Sequence, residues 1–166
     1  MQTKTYYGFQ FVKIGVAKLS DQPHVYTEKG ERRQVDSKLE LLRPEFAEAE
    51  QSTYLVFVGE ELKYVGQYTS TFESRWLYDS KNCVVWHSDK MCDHIDELLK
   101  NQYCPEISVW LTLDPYVVGP CGPLNVNKAI EQLIIEKEQP EWNNRGKLTR
   151  TTGRRVSDIC HEPPGR

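Results

Sequence analysis

The sequence predicts an α/β domain in which a small three-stranded antiparallel sheet is flanked by helices and preceded by a strand-rich extension. Three observations lead there. Two β-prone runs, Thr53 to Val58 and Leu62 to Gly66, are separated only by Gly59-Glu60-Glu61. Segments of helical period begin near Ser70, Asp89 and Asn125. A third β-prone run, Glu106 to Leu113, falls between the last two of these segments.

In chain order, residues 1–50 form the extension. Phe9 and Phe11, then Val12, Ile14 and Val16, give two phases of period-2 apolar spacing. The polar run Thr27 to Arg33 supplies a turn before a second run, Gln34 to Leu41. Arg43-Pro44-Glu45-Phe46 places Pro at a first helical position with acidic residues after it, predicting a short helix to about Glu50.

The core is expected over residues 51–144. The turn at Gly59 makes the first two runs a hairpin. An odd-length loop would set Tyr54, Val56, Val58, Leu62 and Tyr64 on one side. Ser70-Thr71-Phe72-Glu73 is a capping-box pattern opening a helix with Phe72 and Trp76 one turn apart and Arg75 beside Asp79. Ser88 caps a helix over Asp89 to Lys100 that buries Met91, Ile95, Leu98 and Leu99. Asp114 to Pro123, dense in Pro and Gly, reads as one ordered loop. The last helix, Asn125 to Gln139, buries Ile130, Leu133 and Ile134 and stops at Pro140.

Composition narrows the class. With 39% hydrophobic and 27% charged residues the chain is that of an ordinary globular protein, and no run approaches the roughly 18 apolar residues of a membrane span. No secretory signal is visible in MQTKTYYGFQFVK, so a cytoplasmic protein without a membrane partner is expected. The five cysteines hold no Cys-x-x-Cys pair and read as free thiols. The net charge of −3 is uneven. Arg145, Lys147, Arg150, Arg154, Arg155 and Arg166, against Asp158 and Glu162, give the segment 145–166 a charge of about +4. Such a tail can meet a polyanion while the remainder stays acidic.

Five features fall in order. Tyr64-Val65-Gly66 ends the second hairpin strand, Tyr54 lies on the first, Arg75 is on the next helix, Glu131 is inside the last helix and Asn143 lies just past its end. In this order the chain resembles the GIY-YIG nuclease superfamily over roughly Thr53 to Asn143. YVGQYTSTFESRW matches its second-tyrosine motif with the arginine helix, and EQLIIEKEQPEWN its terminal pattern. YLVFVGEELKY, and PEWN with a basic tail, are most similar to the phage endonuclease II type. Where the motif has Gly-Ile-Tyr this chain has Ser52-Thr53-Tyr54, keeping the tyrosine alone, and Val65 replaces isoleucine.

The resemblance implies a metal-dependent endonuclease acting on double-stranded DNA. The residue types suit that chemistry, which needs a deprotonated water and neutralised charge on the phosphoryl group. Glu131 offers one carboxylate, which suits Mg²⁺ or Mn²⁺, ions that keep several waters. Arg75 offers a fork of donors to phosphate oxygens. Tyr54 or Tyr64 takes the proton once its pKa is lowered by a metal or by Lys63, and the resemblance favours Tyr54 with Tyr64 orienting water or phosphate. It further carries Lys90 and His87 into the catalytic set, and gives Gly66 and Asn143 structural parts. Lys63, Arg145, Lys147, Arg150, Arg154 and Arg155, with the Lys29 to Arg33 turn, are placed on DNA phosphates. Cutting both strands with one site per chain calls for two subunits or two visits, so a homodimer or homotetramer on DNA is expected.

Taken singly, each residue has a plainer reading. Tyr54 and Tyr64 make a cross-strand packing pair, Arg75 and Asp79 an exposed ion pair, and Glu131 one of several solvated carboxylates with Glu136 and Glu138. Only the ordered set points to a nuclease. The competing class is a non-catalytic nucleic-acid-binding module on the same fold; a nuclease for branched DNA or RNA is a third. Zinc on Cys83, His87, Cys92 and His94 is disfavoured, because Cys92 and His94, two apart on a helix, point about 200° away from each other.

Overall fold

The protein is described from a computed structural model over residues 1–28, 31–76, 89–101 and 104–143. Its strands are β1 (Thr3–Tyr6), β2 (Phe9–Glu28), β3 (Glu31–Leu41), β4 (Thr53–Val58), β5 (Glu61–Gln67), β6 (Ile107–Thr112), β7 (Tyr116–Gly119) and β8 (Gly122–Asn125). The helices are α1 (Phe72–Trp76), α2 (Asp89–Leu99) and α3 (Asn127–Glu138), with a 3-10 turn at Pro44–Phe46 where a short helix to Glu50 is expected.

The sheet is larger than the sequence predicts. The expected three strands are present as β5-β4-β6, all antiparallel, but β6 continues into β2 to give the order β1-β2-β6-β4-β5. β3 also pairs with β2, following β1 along the edge opposite β6. The first fifty residues are therefore hydrogen-bonded into the same sheet. The two phases of apolar spacing in β2 explain why. Phe11 enters one apolar layer and Val12 and Ile14 the other, as a strand covered on both faces requires, and a bulge between Lys13 and Gly15 adjusts the register against β6.

Alternation along β4 divides the core in two. Tyr54 and Val56 join Val109, Leu111, Phe72, Trp76 and Ile95 on the α1 and α2 side. Leu55 and Phe57 join Val65, Trp110, Ile130 and Ile134 under α3. Each aliphatic side chain sealed in these layers stabilises the fold by about 1.5–3 kcal/mol.

Local details differ from expectation for identifiable reasons. The hairpin loop is two residues, Gly59-Glu60, because Glu61 pairs with Val58; Gly59 at φ 60 supplies the positive φ that such a tight turn needs. A bulge then sets Val56 opposite Tyr64 but Phe57 opposite Leu62, so Leu62 packs under α3 and not beside the tyrosines. α1 is capped by Thr71, whose Oγ1 accepts from Ser74 N at 3.1 Å, one residue later than the Ser70–Glu73 box. The segment expected as a loop forms the β7–β8 hairpin. α3 buries Ile135 along with Ile130 and Ile134, and Gln139 ends it at φ 47 just before Pro140. Among the described residues no helix is long and apolar enough to cross a membrane.

Candidate functional site

The site is built outward from one cross-strand pair. Tyr54 on β4 lies directly opposite Gly66 on β5, so their side-chain directions share a face. The phenol fills the space that a side chain at 66 would take: a Cβ there would stand 2.4 Å from Tyr54 Cζ and Oη and 2.9 Å from Tyr64 Cε1. Gly66 is thus the seat on which the tyrosine ring rests.

Tyr64 pairs with Val56, which makes it the diagonal neighbour of Tyr54, and the two rings stack at 5.9 Å and 27°. Tyr68 stacks on Tyr54 at 6.3 Å, and Trp76 meets it edge-on at 4.8 Å. Tyr54 is wholly buried and Tyr64 part-exposed. Burial, then the neighbouring Tyr64, push the Tyr54 phenol well above its ordinary range, and Arg75 acts in the opposite sense. Its hydroxyl is buried, and Arg75 and Tyr64 are both close enough to act on it.

Arg75 comes from α1, oriented by the burial of Phe72 and Trp76, which stack at 5.5 Å. Its Nε is buried without a hydrogen-bond partner. The Tyr54 hydroxyl and the Arg75 Nε are both sealed from water.

Glu131 lies one turn into α3. The helix start is tied to β4, where Thr53 Oγ1 donates to the carbonyl and to Oδ1 of Asn127, both at 3.1 Å. Glu131 is half-buried, and desolvation raises its carboxyl pKa against the lowering influence of Arg75 and Lys128. It makes no ion pair among the described residues. Arg75 acts electrostatically on both Tyr54 and Glu131, favouring the charged form of each.

Asn143 closes the arrangement from behind. Its Oδ1 accepts from Val65 N at 2.8 Å and its Nδ2 donates to Val65 O at 2.6 Å, copying a strand's pairing along the outer edge of β5. Trp142 N adds a bond to Lys63 O at 3.0 Å. The residue after the last helix therefore fixes the middle of Tyr64-Val65-Gly66.

Lys63 points elsewhere. Its ammonium is 2.7 Å from both Glu61 and Glu141, which raise its pKa; both partners occupy the charge that a phosphate contact would use. Lys63 is also absent from the groups that act on the Tyr54 phenol. Lys90 is on α2 with its side chain outside the described residues, and His87, Arg145, Lys147, Arg150, Arg154 and Arg155 lie outside them altogether. Of the four zinc candidates only His94 has a described side chain, stacked on Trp142 at 5.4 Å; Cys92 is on α2 with its side chain outside the described residues, and Cys83 and His87 lie outside them altogether.

Three contributors escape sequence reasoning. Tyr68 completes the aromatic stack, and Thr53 and Asn127 lock α3 to β4. Their signal, a tyrosine past a strand and a Thr and an Asn at element ends, is common to many turns.

A magnesium ion fits this donor set in one respect that can be read directly: Glu131 is a desolvated carboxylate with no cation bound to it in an ion pair, and a divalent cation would favour its charged form. Among the described residues no three His, Cys, Asp or Glu side chains cluster, so Glu131 would hold the ion largely with water. Compared with protein-family models, with curated proteins and with solved structures, the chain matches none.

Proposed function

We propose that the protein is a Mg²⁺- or Mn²⁺-dependent endonuclease that hydrolyses phosphodiester bonds in double-stranded DNA. The observation that carries this reading is the position of Arg75, which influences a buried phenol on one side and a desolvated carboxylate on the other. A surface ion pair would not leave the Arg75 Nε sealed from water beside a buried phenol.

In this reading Arg75 draws in a non-bridging phosphate oxygen and stays charged throughout. Glu131 would hold the metal, which supplies charge neutralisation at the phosphate and makes water more acidic. One phenol of the tyrosine pair accepts the proton of the attacking water. Asn143 and Gly66 keep the strand and ring in register, and the basic segment 145–166 adds phosphate contacts that carry no sequence information.

The test is incubation of supercoiled plasmid with the protein and Mg²⁺, with and without chelator, beside the Glu131→Ala variant. Metal-dependent nicking that Glu131→Ala abolishes, with DNA binding retained, is the expected result. DNA binding without any metal-dependent cutting by the wild type would identify a binding module instead.

A further inference from the structure

We infer that Tyr64, and not Tyr54, is the proton acceptor, with Tyr54 the buried ring on which Tyr64 stacks; this rests on the nuclease reading above. A general base must come within about 2.6–3.2 Å of the proton it takes, so its oxygen has to be reachable by water. Tyr54 fails that requirement. Its side chain is 0% exposed and its hydroxyl is sealed. Nor has the ring anywhere to swing. Gly66 lies beneath it with no room to spare, Tyr64 and Tyr68 stack on it, and Trp76 abuts it edge-on.

Tyr64, in the neighbouring position, is the less buried of the two rings. It is part-exposed and lies nearly parallel to Tyr54 on the edge strand, where Asn143 fixes the adjacent Val65 backbone. The charged group that acts on the Tyr54 ring is Arg75 on α1, which also acts on Glu131 on α3. On its own strand Lys63 is held by Glu61 and Glu141, and across the post-helix turn His94 of α2 stacks on Trp142. The resemblance favours the first tyrosine as base; burial reverses that order here.

The step balances simply. Tyr64 as phenolate takes a proton from water as the water oxygen bonds to phosphorus. The bond from phosphorus to the departing sugar oxygen breaks, that oxygen is protonated from solvent, and the phenol returns its proton to solvent.

Single-turnover cleavage of a duplex with Mg²⁺ separates the two tyrosines. Phe at either position keeps the stacked rings, so folding is preserved. Tyr64→Phe is expected to lower the cleavage rate by about 10²-fold or more with little change in DNA affinity. Tyr54→Phe is expected to slow cutting by about tenfold or less. Fluorinated tyrosine, whose phenol ionises at lower pH, should move the rising limb of the pH–rate profile to lower pH when placed at 64 and leave it in place at 54. A wild-type enzyme that cuts, with Tyr54→Phe inactive and Tyr64→Phe active, overturns this assignment alone. A wild-type protein that never cuts overturns the nuclease reading and the assignment with it.

Discussion

Gly66→Ala is the most demanding single perturbation of this site. The added methyl would stand 2.4 Å from two atoms of Tyr54 and 2.9 Å from one of Tyr64, where ordinary contact begins near 3.4 Å. Relief requires the Tyr54 ring to retreat by about 1 Å, yet Trp76 at 4.8 Å and Tyr68 at 6.3 Å stand behind it in a fully buried layer. Overpacking of this kind costs about 1–3 kcal/mol. For a chain of 166 residues that corresponds to a fall in Tm of about 3–10 °C. The backbone contributes none of this penalty, since Gly66 is not among the positive-φ residues. Urea denaturation should show a lower midpoint at unchanged slope, with near-ultraviolet circular dichroism reporting the disturbed aromatic stack. Without the clash, Ala would stabilise by about 0.4–1 kcal/mol through the unfolded chain. A Gly66→Ala protein as stable as the wild type, or more so, refutes the account of the ring's seat.

Three further outcomes are expected. Asn143→Ala removes both bonds to Val65 and leaves its buried amide and carbonyl unsatisfied, so a loss of about 2–4 kcal/mol is expected, with faster hydrogen exchange at the Val65 amide; unchanged exchange there would contradict the clamp. The Glu131 carboxyl has a raised pKa, so the folded chain holds its proton more tightly than the unfolded one, and this contribution is complete below the ordinary value of 4.5 and lost as pH rises through the raised one. Metal-free Glu131→Gln should therefore melt at or above wild type near pH 7, with the difference shrinking near pH 4; a variant less stable than wild type at neutral pH would refute the desolvation. Replacing Arg150, Arg154 and Arg155 by Gln should reduce the slope of log affinity for duplex DNA against log salt by about two to three, whereas Lys63→Met, whose ammonium already has two carboxylate partners, should leave that slope unaltered.

What the sequence makes legible here is what periodicity encodes. The β4–β5 hairpin, β6 and the apolar stripes of α2 and α3 follow from local spacing, and the order of Tyr54, Tyr64, Gly66, Arg75 and Glu131 points to one site before any coordinates. Depth is not encoded that way. Alternation places Tyr54 and Tyr64 on one face but cannot tell that Gly66 lets one ring sink while the other stays at the margin. The β7–β8 hairpin is concealed by Pro120 and Pro123, residues that argue against a central strand yet are tolerated in a two-stranded ribbon. The pairing of β2 with β6 joins residues too far apart for any local window, and the bulge that turns Leu62 away follows from tertiary packing.

That distant pairing also sets a timetable. As the chain leaves the ribosome, β2 and β3 emerge early and can zip into a hairpin by themselves, but Phe11 must wait for Thr112 and Val16 for Ser108. Until β6 arrives, the Phe11–Val16 stretch of β2 displays open amides and carbonyls on that margin, the kind of surface that recruits stray strands. Closure across so long a separation in sequence is slow, which prolongs the exposure of that stretch.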